Sequence, residues 1–231
     1  EDIRVDFNVY IIDTLDNLTC ATTGAINTAK HLTLRKSASG TGRPGSTITY
    51  SYAYQTSEFI PGISAFTVTD VLQDGISYSD IGGNNIRLNI THGATSTTLD
   101  VPFVDPGTSS SFSGADIFTA ITNAGGSIDA AENGTISYTA VIDQTYDDGS
   151  PVLTRDIITN SVNATYSIQG AGNAQNCNEN SSASVSIDDI TISKATIGST
   201  TVKPGDVVHF QLTMSVPSGD ADNVILTDVL P

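Results

Sequence analysis

The sequence predicts an all-β protein made of β-sandwich repeats in tandem. Apolar and polar residues alternate over several short segments, which is typical of strands with one buried face. Turn-forming pairs such as Asp74-Gly75 and Asn133-Gly134 separate these segments. A pattern of lysine, Pro-Gly and aspartate occurs twice, which indicates a tandem repeat. With 231 residues, the chain is long enough for one or two domains that bury a core.

Four segments carry the strand pattern most clearly. Their apolar faces consist of Ile48, Tyr50, Tyr52 and Tyr54; Ile136, Tyr138, Ala140 and Ile142; Ile158, Val162, Ala164, Tyr166 and Ile168; and Val208, Phe210, Leu212 and Met214. The core of the first domain is predicted to include Ile48, Tyr50, Phe66, Val68, Tyr138 and Tyr166. Because side chains alternate between the two faces of a strand, polar residues that share these faces are also expected inside.

One short helix is predicted near residues 114–124. Ser113 is the candidate N-cap, and Gly125-Gly126 supplies the stop signal. The buried stripe of this helix is expected to consist of Ile117, Phe118 and Ile121. No other segment shows a comparable helical pattern, so the helix is the exception in an otherwise β chain.

The repeat is clearest around two of the four lysines. Lys36 precedes Asp70 by 34 positions (70 − 36), and Lys194 precedes Asp228 by 34 positions (228 − 194). The surrounding segments also match, with a Pro-Gly turn and an alternating strand between lysine and aspartate. Arrays of such β domains usually form stalks or filaments.

The repeat divides the chain into four parts. Residues 24–170 are predicted to form a complete sandwich, and the polar segment 171–184 a linker to a second repeat at 185–231. Residues 1–23 contain an apolar segment, Ile3–Ile12, which resembles a last strand of a preceding repeat or a strand donated to another subunit. The second repeat has only opening strands, so it is completed either later in the same chain or by another subunit.

Composition excludes several functions. Acidic residues outnumber basic ones by 25 to 9, giving a net charge of −16, and a surface of this kind repels nucleic acid. No segment approaches the ~20 apolar residues of a membrane span. His31, His92 and His209 are far apart, and no nucleophile elbow or phosphate-binding loop is present. The histidines are expected at ordinary surface or strand positions, and the chain is not expected to be an enzyme.

The motif order resembles the conserved repeat domain of prokaryotic surface proteins. The order is Lys, Pro-Gly-x-x-x-x-aromatic, Val-Thr-Asp-x-Leu-Pro, then Asn-x-Ala/Val in a last strand, and it covers 30–73, 156–168 and 188–231. Relatives of this family include the isopeptide-forming domains of fimbrial shafts. The resemblance implies an immunoglobulin-like β-sandwich and an extracellular, cell-surface location.

Strand parity places Lys36, Asp70 and Asn160 on core-facing positions. Lys36 shares its face with leucines, and Asn160 shares its face with Ile158 and Val162, whereas Asn163 points the other way. An apolar site favours the neutral forms of lysine and aspartate. A neutral Lys36 could then attack the Asn160 amide while protonated Asp70 polarises the carbonyl, and the resemblance implies the same three roles. The alternatives are a buried Lys36–Asp70 ion pair or a Lys36 that extends to solvent.

Lys194 and Asp228 are the equivalent candidates in the second repeat. The two cysteines, Cys20 and Cys177, also recur with the repeat, lying 16 (36 − 20) and 17 (194 − 177) positions before its lysines. They predict either a Cys20–Cys177 disulfide or pairing at a junction or between subunits.

No cofactor is predicted. Calcium is a candidate at four loop aspartates, Asp147, Asp148, Asp220 and Asp222, although solvated turns explain them as well.

The sequence therefore predicts a structural repeat unit of an extracellular stalk, matrix fibre or filament. Its partners are expected to be copies of itself arranged head to tail, or neighbouring repeats of the same chain. Two other classes of protein remain open. One is a ligand-binding adhesin module that recognises a glycan or a surface through loops in 80–130, and the other is an accessory domain of a secreted enzyme.

Overall fold

The computed structural model describes residues 31–107, 109–169, 176–198, 201–216 and 224–229. Twelve strands and one helix occur in these ranges. In chain order they are β1 (Leu32–Gly40), β2 (Thr47–Thr56), β3 (Ile63–Leu72), β4 (Ile76–Tyr78), β5 (Asn85–His92), β6 (Thr95–Pro102), β7 (Ser111–Asp116), α1 (Ile117–Asn123), β8 (Asn133–Ile142), β9 (Ile157–Ile168), β10 (Asn176–Ser186), β11 (Thr191–Ile197) and β12 (His209–Ser215).

Two antiparallel sheets form the sandwich of the first domain. One has the strand order β1-β2-β8-β5-β6, with β4 paired to β8, and the other has the order β10-β9-β3-β7. Strands β11 and β12 form a separate two-stranded antiparallel sheet. The prediction of an all-β sandwich with one short helix is confirmed, while the tandem repeat stays a prediction.

The core lies between the two large sheets and follows the period of 2 in the sequence. Along β2, for example, every second side chain is buried. The six core residues predicted above are all buried. Tyr50 and Tyr138 are register partners on β2 and β8, and their rings stack with centroids 5.6 Å apart. Aromatic residues therefore fill the centre of the sandwich, where the site described below is located.

Helix α1 is shorter than predicted and begins after a different cap. Residues 111–116 continue as β7, paired with β3, so Ser113 is a strand residue and its predicted capping role is wrong. Asp116 caps the helix instead, because its Oδ1 accepts a hydrogen bond of 2.9 Å from the Thr119 backbone N–H. Ile117 and Ile121 are buried, as predicted, while Phe118 is only partly buried.

The linker predicted at 171–184 is wrong for residues 176–184, which belong to β10. This strand pairs with β9 over eleven positions, from Asn176 opposite Ser167 to Ser186 opposite Ile157. Beyond β10, the Asp188 backbone N–H donates to the Gly42 carbonyl at 2.7 Å, so the chain still contacts the first domain there. The first domain therefore extends past the predicted boundary at 170.

The predicted N-terminal segment 1–23, including Ile3–Ile12, lies outside the described residues. Within the described ranges, no helix is long and apolar enough to cross a membrane. In the second repeat, Phe210, Leu212 and Met214 on β12 are exposed, as is Val208 just before it. The opening strands of the second repeat thus present an uncovered apolar face among the described residues.

Candidate functional site

Lys36 projects into the sandwich from β1, an edge strand of the first sheet. The strand buries Leu32, Leu34 and Lys36 in alternation. The Lys36 backbone N–H donates to Ser181 Oγ on β10 at 2.8 Å, which ties β1 to the edge of the opposite sheet. The Lys36 side chain is fully buried, and its Nζ contacts Asp70 Oδ2. The alternative in which Lys36 extends to solvent is therefore wrong.

Asp70 lies on β3, inside the second sheet, and its carboxylate accepts four hydrogen bonds. Lys36 Nζ and the Tyr52 hydroxyl donate to Oδ2. The hydroxyls of Tyr78 and Tyr138 each donate to Oδ1 at 2.8 Å. A buried carboxylate needs such compensation, because an unpaired charge in the core is very costly. Strands β1, β2, β4 and β8 of one sheet thus converge on a single residue of the other.

Asn160 completes the group from β9, next to β3. It is fully buried and lies opposite Leu72 in the register of the two strands. Its Nδ2 donates to the Tyr138 hydroxyl at 2.5 Å, so Tyr138 contacts Asn160 and Asp70 at once. The Asn160 Oδ1 and the Tyr50 hydroxyl, by contrast, are buried without a hydrogen-bond partner. A buried carbonyl oxygen without a donor is unusual in a well-packed core.

Burial changes the protonation behaviour of these groups. Desolvation lowers the pKa of Lys36 to about 8, although the Asp70 carboxylate opposes the change. Burial, followed by the Asp70 charge, raises the pKa of Tyr52, Tyr78 and Tyr138 well above the ordinary value for tyrosine. The tyrosines therefore stay protonated, whereas a substantial fraction of Lys36 is neutral at mildly alkaline pH.

The structure brings together the three residues of the first predicted site. It also adds Tyr52 and Tyr138, for which the sequence predicts only a place on a buried face, and Tyr78, for which it predicts no role. A usable signal was present, because a buried tyrosine hydroxyl usually finds a polar partner and Asp70 was itself predicted to be buried. Lys36 Nζ also lies 5.0 Å from the ring centroids of Tyr50 and Tyr52.

The second predicted pair forms, but in a different environment. Lys194 Nζ lies 2.5 Å from Asp228 Oδ1, and the two side chains are 29% and 38% exposed. Lys194 Nζ also lies 4.5 Å from the centroid of the Phe210 ring. The prediction that both residues point into a core is wrong for the described structure, because the described strands of this repeat form one open hairpin.

The remaining candidates do not form a second site in the described ranges. Cys177 is buried on β10 and disulfide-bonded, while Cys20 lies outside the described residues, so the Cys20–Cys177 pairing stays a prediction.

No group of three or more His, Cys, Asp or Glu side chains that could hold a metal is found in the described residues. Asp148 accepts hydrogen bonds from Ser150. Asp220 and Asp222 lie outside the described residues.

His92 is more enclosed than expected for an ordinary strand position. It ends β5 and is buried, with Nδ1 2.9 Å from the Tyr54 hydroxyl and Nε2 2.9 Å from Glu132 Oε2. Its ring stacks on that of Tyr54 at 5.8 Å between centroids. This cluster links β2, β5 and the segment before β8, and it does not contact the Asp70 carboxylate.

A shallow groove of about 320 Å³ runs over the outer face of the second sheet. Its lining consists of Val71, Ser161, Val162, Asn163, Asn180, Ser181 and Ser182. Asn163 Nδ2 donates to Asn180 Oδ1 at 2.6 Å on this face, so Asn163 points away from Lys36, as predicted. None of these lining residues is aromatic, and none belongs to the loops in 80–130 through which the adhesin alternative would bind.

Fold and site together define a β-sandwich with a buried Lys-Asp-Asn centre, and comparisons with known structures give related architectures. The chain is similar to the full-length major pilin SpaD of Corynebacterium diphtheriae, with a TM-score of 0.46 and 10% identity, covering 77% of this chain and 39% of SpaD. It is also similar to BcpA, the major pilin subunit of Bacillus cereus, with a TM-score of 0.46 and 14% identity, covering 72% and 43%.

A third similarity is to the collagen-binding domain of a Staphylococcus aureus adhesin, with a TM-score of 0.34 and 13% identity, covering 68% of this chain and 99% of that domain. The matched region covers less than half of the length of either pilin, SpaD or BcpA. No family model and no curated protein sequence matches.

Proposed function

We propose that this chain is a structural module of an extracellular, cell-surface stalk, fibre or filament. Its first domain is reinforced by an isopeptide bond between Lys36 Nζ and the side-chain carbonyl of Asn160. The observation that carries the proposal is the convergence of Lys36, Asp70 and Asn160 on one buried centre between the sheets.

The burial of this centre favours a structural role over an enzymatic one. Lys36, Asp70 and Asn160 are all buried, with side chains of Lys36 and Asp70 that have no exposed surface. A substrate from solution could not reach these groups without opening the sandwich. The chemistry open to the centre is therefore a reaction among its own side chains, which happens once and leaves a modified protein.

The reaction has a simple balance of atoms. The neutral amine of Lys36 attacks Cγ of Asn160, the new C–N bond forms, and the bond from Cγ to Nδ2 breaks. Asn160 Nδ2 leaves as ammonia, and the amine loses one proton to the site. Contacts through Asp70 and Tyr138 hold Lys36 and Asn160 in one buried network, and such preorganisation supplies a large part of the rate enhancement. The lowered pKa of Lys36 supplies the neutral nucleophile.

The positions of the two residues suit a mechanical role. Lys36 lies on β1 and Asn160 on β9, so a bond between them joins the first strand of the domain to its penultimate one. Residues 37–159 would lie inside the closed loop. A pulling force applied at the two ends of the domain would then pass through the bond and bypass this loop, so the loop could not extend.

Head-to-tail assembly is the finer part of the proposal. The exposed apolar side chains of Phe210, Leu212 and Met214 leave an open face that another strand could cover. The segment Ile3–Ile12 has the composition of such a strand. Its donation to the next subunit would be a heterologous contact, which generates an open filament.

Deletion of residues 1–12 tests the assembly. The shortened protein should remain as short species, while the intact chain forms longer assemblies in sedimentation or electron microscopy. The deletion is compared with Phe210→Ser, which changes the receiving face. Assembly that is equal in all three proteins would contradict donation of this strand and favour completion of the second repeat within its own chain.

Intact mass spectrometry tests the bond itself. The wild-type protein should be lighter than its sequence mass by one ammonia for this bond. Lys36→Ala and Asp70→Ala should both show the full mass expected for their sequences, because one lacks the nucleophile and the other the proton acceptor. A wild-type protein of unmodified mass would contradict the bond and leave a buried ion pair.

A further inference from the structure

Bond formation at this site requires two proton transfers at different places. The attacking Lys36 Nζ must lose a proton, while the departing Asn160 Nδ2 must gain one before it can leave as ammonia. Lys36 Nζ contacts Oδ2 of Asp70, whereas Asn160 Nδ2 donates to the Tyr138 hydroxyl. Something must carry a proton from the side of the nucleophile to the side of the leaving group.

Tyr138 occupies the position between these two sides. Its hydroxyl lies 2.8 Å from Asp70 Oδ1 and 2.5 Å from Asn160 Nδ2, the atom that leaves. The two carboxylate oxygens of Asp70 thus face different partners: Oδ2 meets the amine, and Oδ1 meets the hydroxyl that contacts the leaving nitrogen. Both the Tyr138 side chain and Asp70 are buried, so bulk water does not provide a competing route.

We propose that Tyr138 is the general acid of this reaction and relays a proton from Asp70 Oδ1 to Asn160 Nδ2. The inference rests on the proposed bond and assigns a catalytic role within it. Before the attack, transfer of a proton within the Lys36–Asp70 pair leaves a neutral amine and a neutral carboxylic acid. With the acid proton on Oδ1, the hydrogen bond reverses, and Asp70 donates to the Tyr138 oxygen.

The transfer then balances without an outside acid or base. As Nζ bonds to Cγ, Lys36 gives a proton to Asp70 Oδ2. Asp70 gives its Oδ1 proton to Tyr138, and Tyr138 gives its own hydroxyl proton to Nδ2. Ammonia departs, Tyr138 is again a phenol, and Asp70 is again an acid that carries its proton on the other oxygen. One carboxyl group thus accepts a proton at one oxygen and donates from the other.

The transfers at Tyr138 have to be concerted. Burial and the Asp70 charge raise the pKa of Tyr138 far above its ordinary value, so a free tyrosinate in the core is strongly disfavoured. The hydroxyl must therefore receive a proton in the same step in which it gives one away. The short contacts on both of its sides meet this requirement.

Tyr78 provides a matched control for Tyr138. Its hydroxyl also donates to Asp70 Oδ1 at 2.8 Å and is buried, but the hydroxyl that contacts Asn160 Nδ2 belongs to Tyr138. Tyr78→Phe and Tyr138→Phe each remove one hydroxyl from the same carboxylate oxygen. A role in holding Asp70 predicts similar effects for the two variants, whereas a relay predicts that only Tyr138→Phe greatly slows the bond.

The experiment follows bond formation in the full chain by intact mass. Unfolded wild-type, Tyr78→Phe and Tyr138→Phe proteins are purified in denaturant, diluted into folding buffer and sampled over time for the loss of ammonia. Removal of a general acid should slow the Tyr138→Phe reaction by about 10²-fold, while Tyr78→Phe stays within several-fold of wild type. Circular dichroism on the same samples checks that all three proteins fold.

Two results would overturn the relay in different ways. A wild-type chain that folds but loses no ammonia contradicts the bond and the relay together. A wild-type chain that forms the bond, with Tyr138→Phe as fast as Tyr78→Phe, contradicts the relay and leaves the bond standing.

A second measurement covers the case in which Tyr138→Phe does not fold. The wild-type rate of ammonia loss is measured in mixtures of light and heavy water after folding is complete. A relay of several protons in one step predicts a rate that falls along a curve as the deuterium fraction rises. A rate that falls in a straight line with the deuterium fraction, or that does not change, would contradict the relay.

Discussion

The two lysine-aspartate pairs of this chain share their sequence spacing but not their surroundings. Lys36 and Asp70 are fully buried between two sheets, whereas Lys194 and Asp228 lie partly exposed on a single hairpin. Lys36 has Tyr52 as its register partner, and that tyrosine donates to Asp70. Lys194 has Leu212 as its register partner, and a leucine side chain cannot donate a hydrogen bond to the aspartate.

This difference shows that the recurring pair alone does not create the buried centre. The ion pair forms in both copies, so the 34-residue spacing is sufficient for contact between lysine and aspartate. The additional hydroxyls, the asparagine and the low dielectric come from β2, β4, β8 and β9, and therefore need a closed sandwich. Among the described residues 190–198, 201–216 and 224–229 of the second copy, the sequence has no asparagine.

The largest expected contrast between the two pairs is in stability. Asp70→Ala and Asp228→Ala are compared in an Asn160→Ala background, which has no isopeptide bond. Asp70→Ala leaves Lys36 and three tyrosine hydroxyls buried without their acceptor, and should lower the free energy of unfolding by about 3–5 kcal/mol. Asp228→Ala removes a partly exposed pair and should cost less than about 1 kcal/mol.

Chemical denaturation of the three proteins measures these free energies. Equal small losses for both variants would show that burial of the first pair has no energetic consequence. A larger loss of unfolding free energy for Asp228→Ala would contradict the comparison, because the partly exposed pair would then contribute more to stability than the buried pair.

A smaller contrast is expected in the pH dependence of stability. In the folded chain, burial lowers the pKa of Lys36 from 10.5 to about 8, and the same Asn160→Ala background keeps this amine free to titrate. Between these values the unfolded chain binds a proton that the folded chain has released, so the free energy of unfolding should rise with pH. The slope should approach about 1.4 kcal/mol per pH unit and vanish below pH 8.

Matched variants identify the source of that slope. Lys36→Met should remove it, whereas Lys194→Met should leave it unchanged. The buried tyrosines act in the opposite direction near pH 10, because their pKa values are raised in the folded state, so denaturation is measured between pH 8 and 9.5 and read as the difference from Lys36→Met. A slope that survives Lys36→Met would contradict the assignment.

The sequence predicted the three polar residues of the site because they follow the strand period. Lys36, Asp70 and Asn160 each share a face with apolar neighbours, and the structure buries all three. Tyr52 and Tyr138 were also predicted on buried faces. What the sequence could not supply was their convergence on Asp70, because this depends on which strands face each other across the sandwich and on the rotation of each side chain.

Strand β10 shows the limit of sequence patterns more sharply. Its inward positions include Glu179, Ser181 and Ala183, which are polar or small and give no apolar period. The segment therefore resembled a linker, and its strand structure depends on pairing with β9. Tertiary pairing overrides a weak local signal in such a case. The helix shows a milder form of the same effect, since pairing with β3 extends β7 to Asp116 and displaces the predicted cap.

Peptide mapping of the wild-type chain tests the central claim most directly, because one digest reports on both lysines. Trypsin cleaves after free lysine but not after a lysine whose amine is in an amide bond. The account predicts a branched peptide in which Lys36 is uncleaved and joined to the Asn160 peptide with loss of ammonia, while Lys194 is cleaved normally. Cleavage at both lysines, with the Asn160 peptide found linear and unmodified, would contradict it.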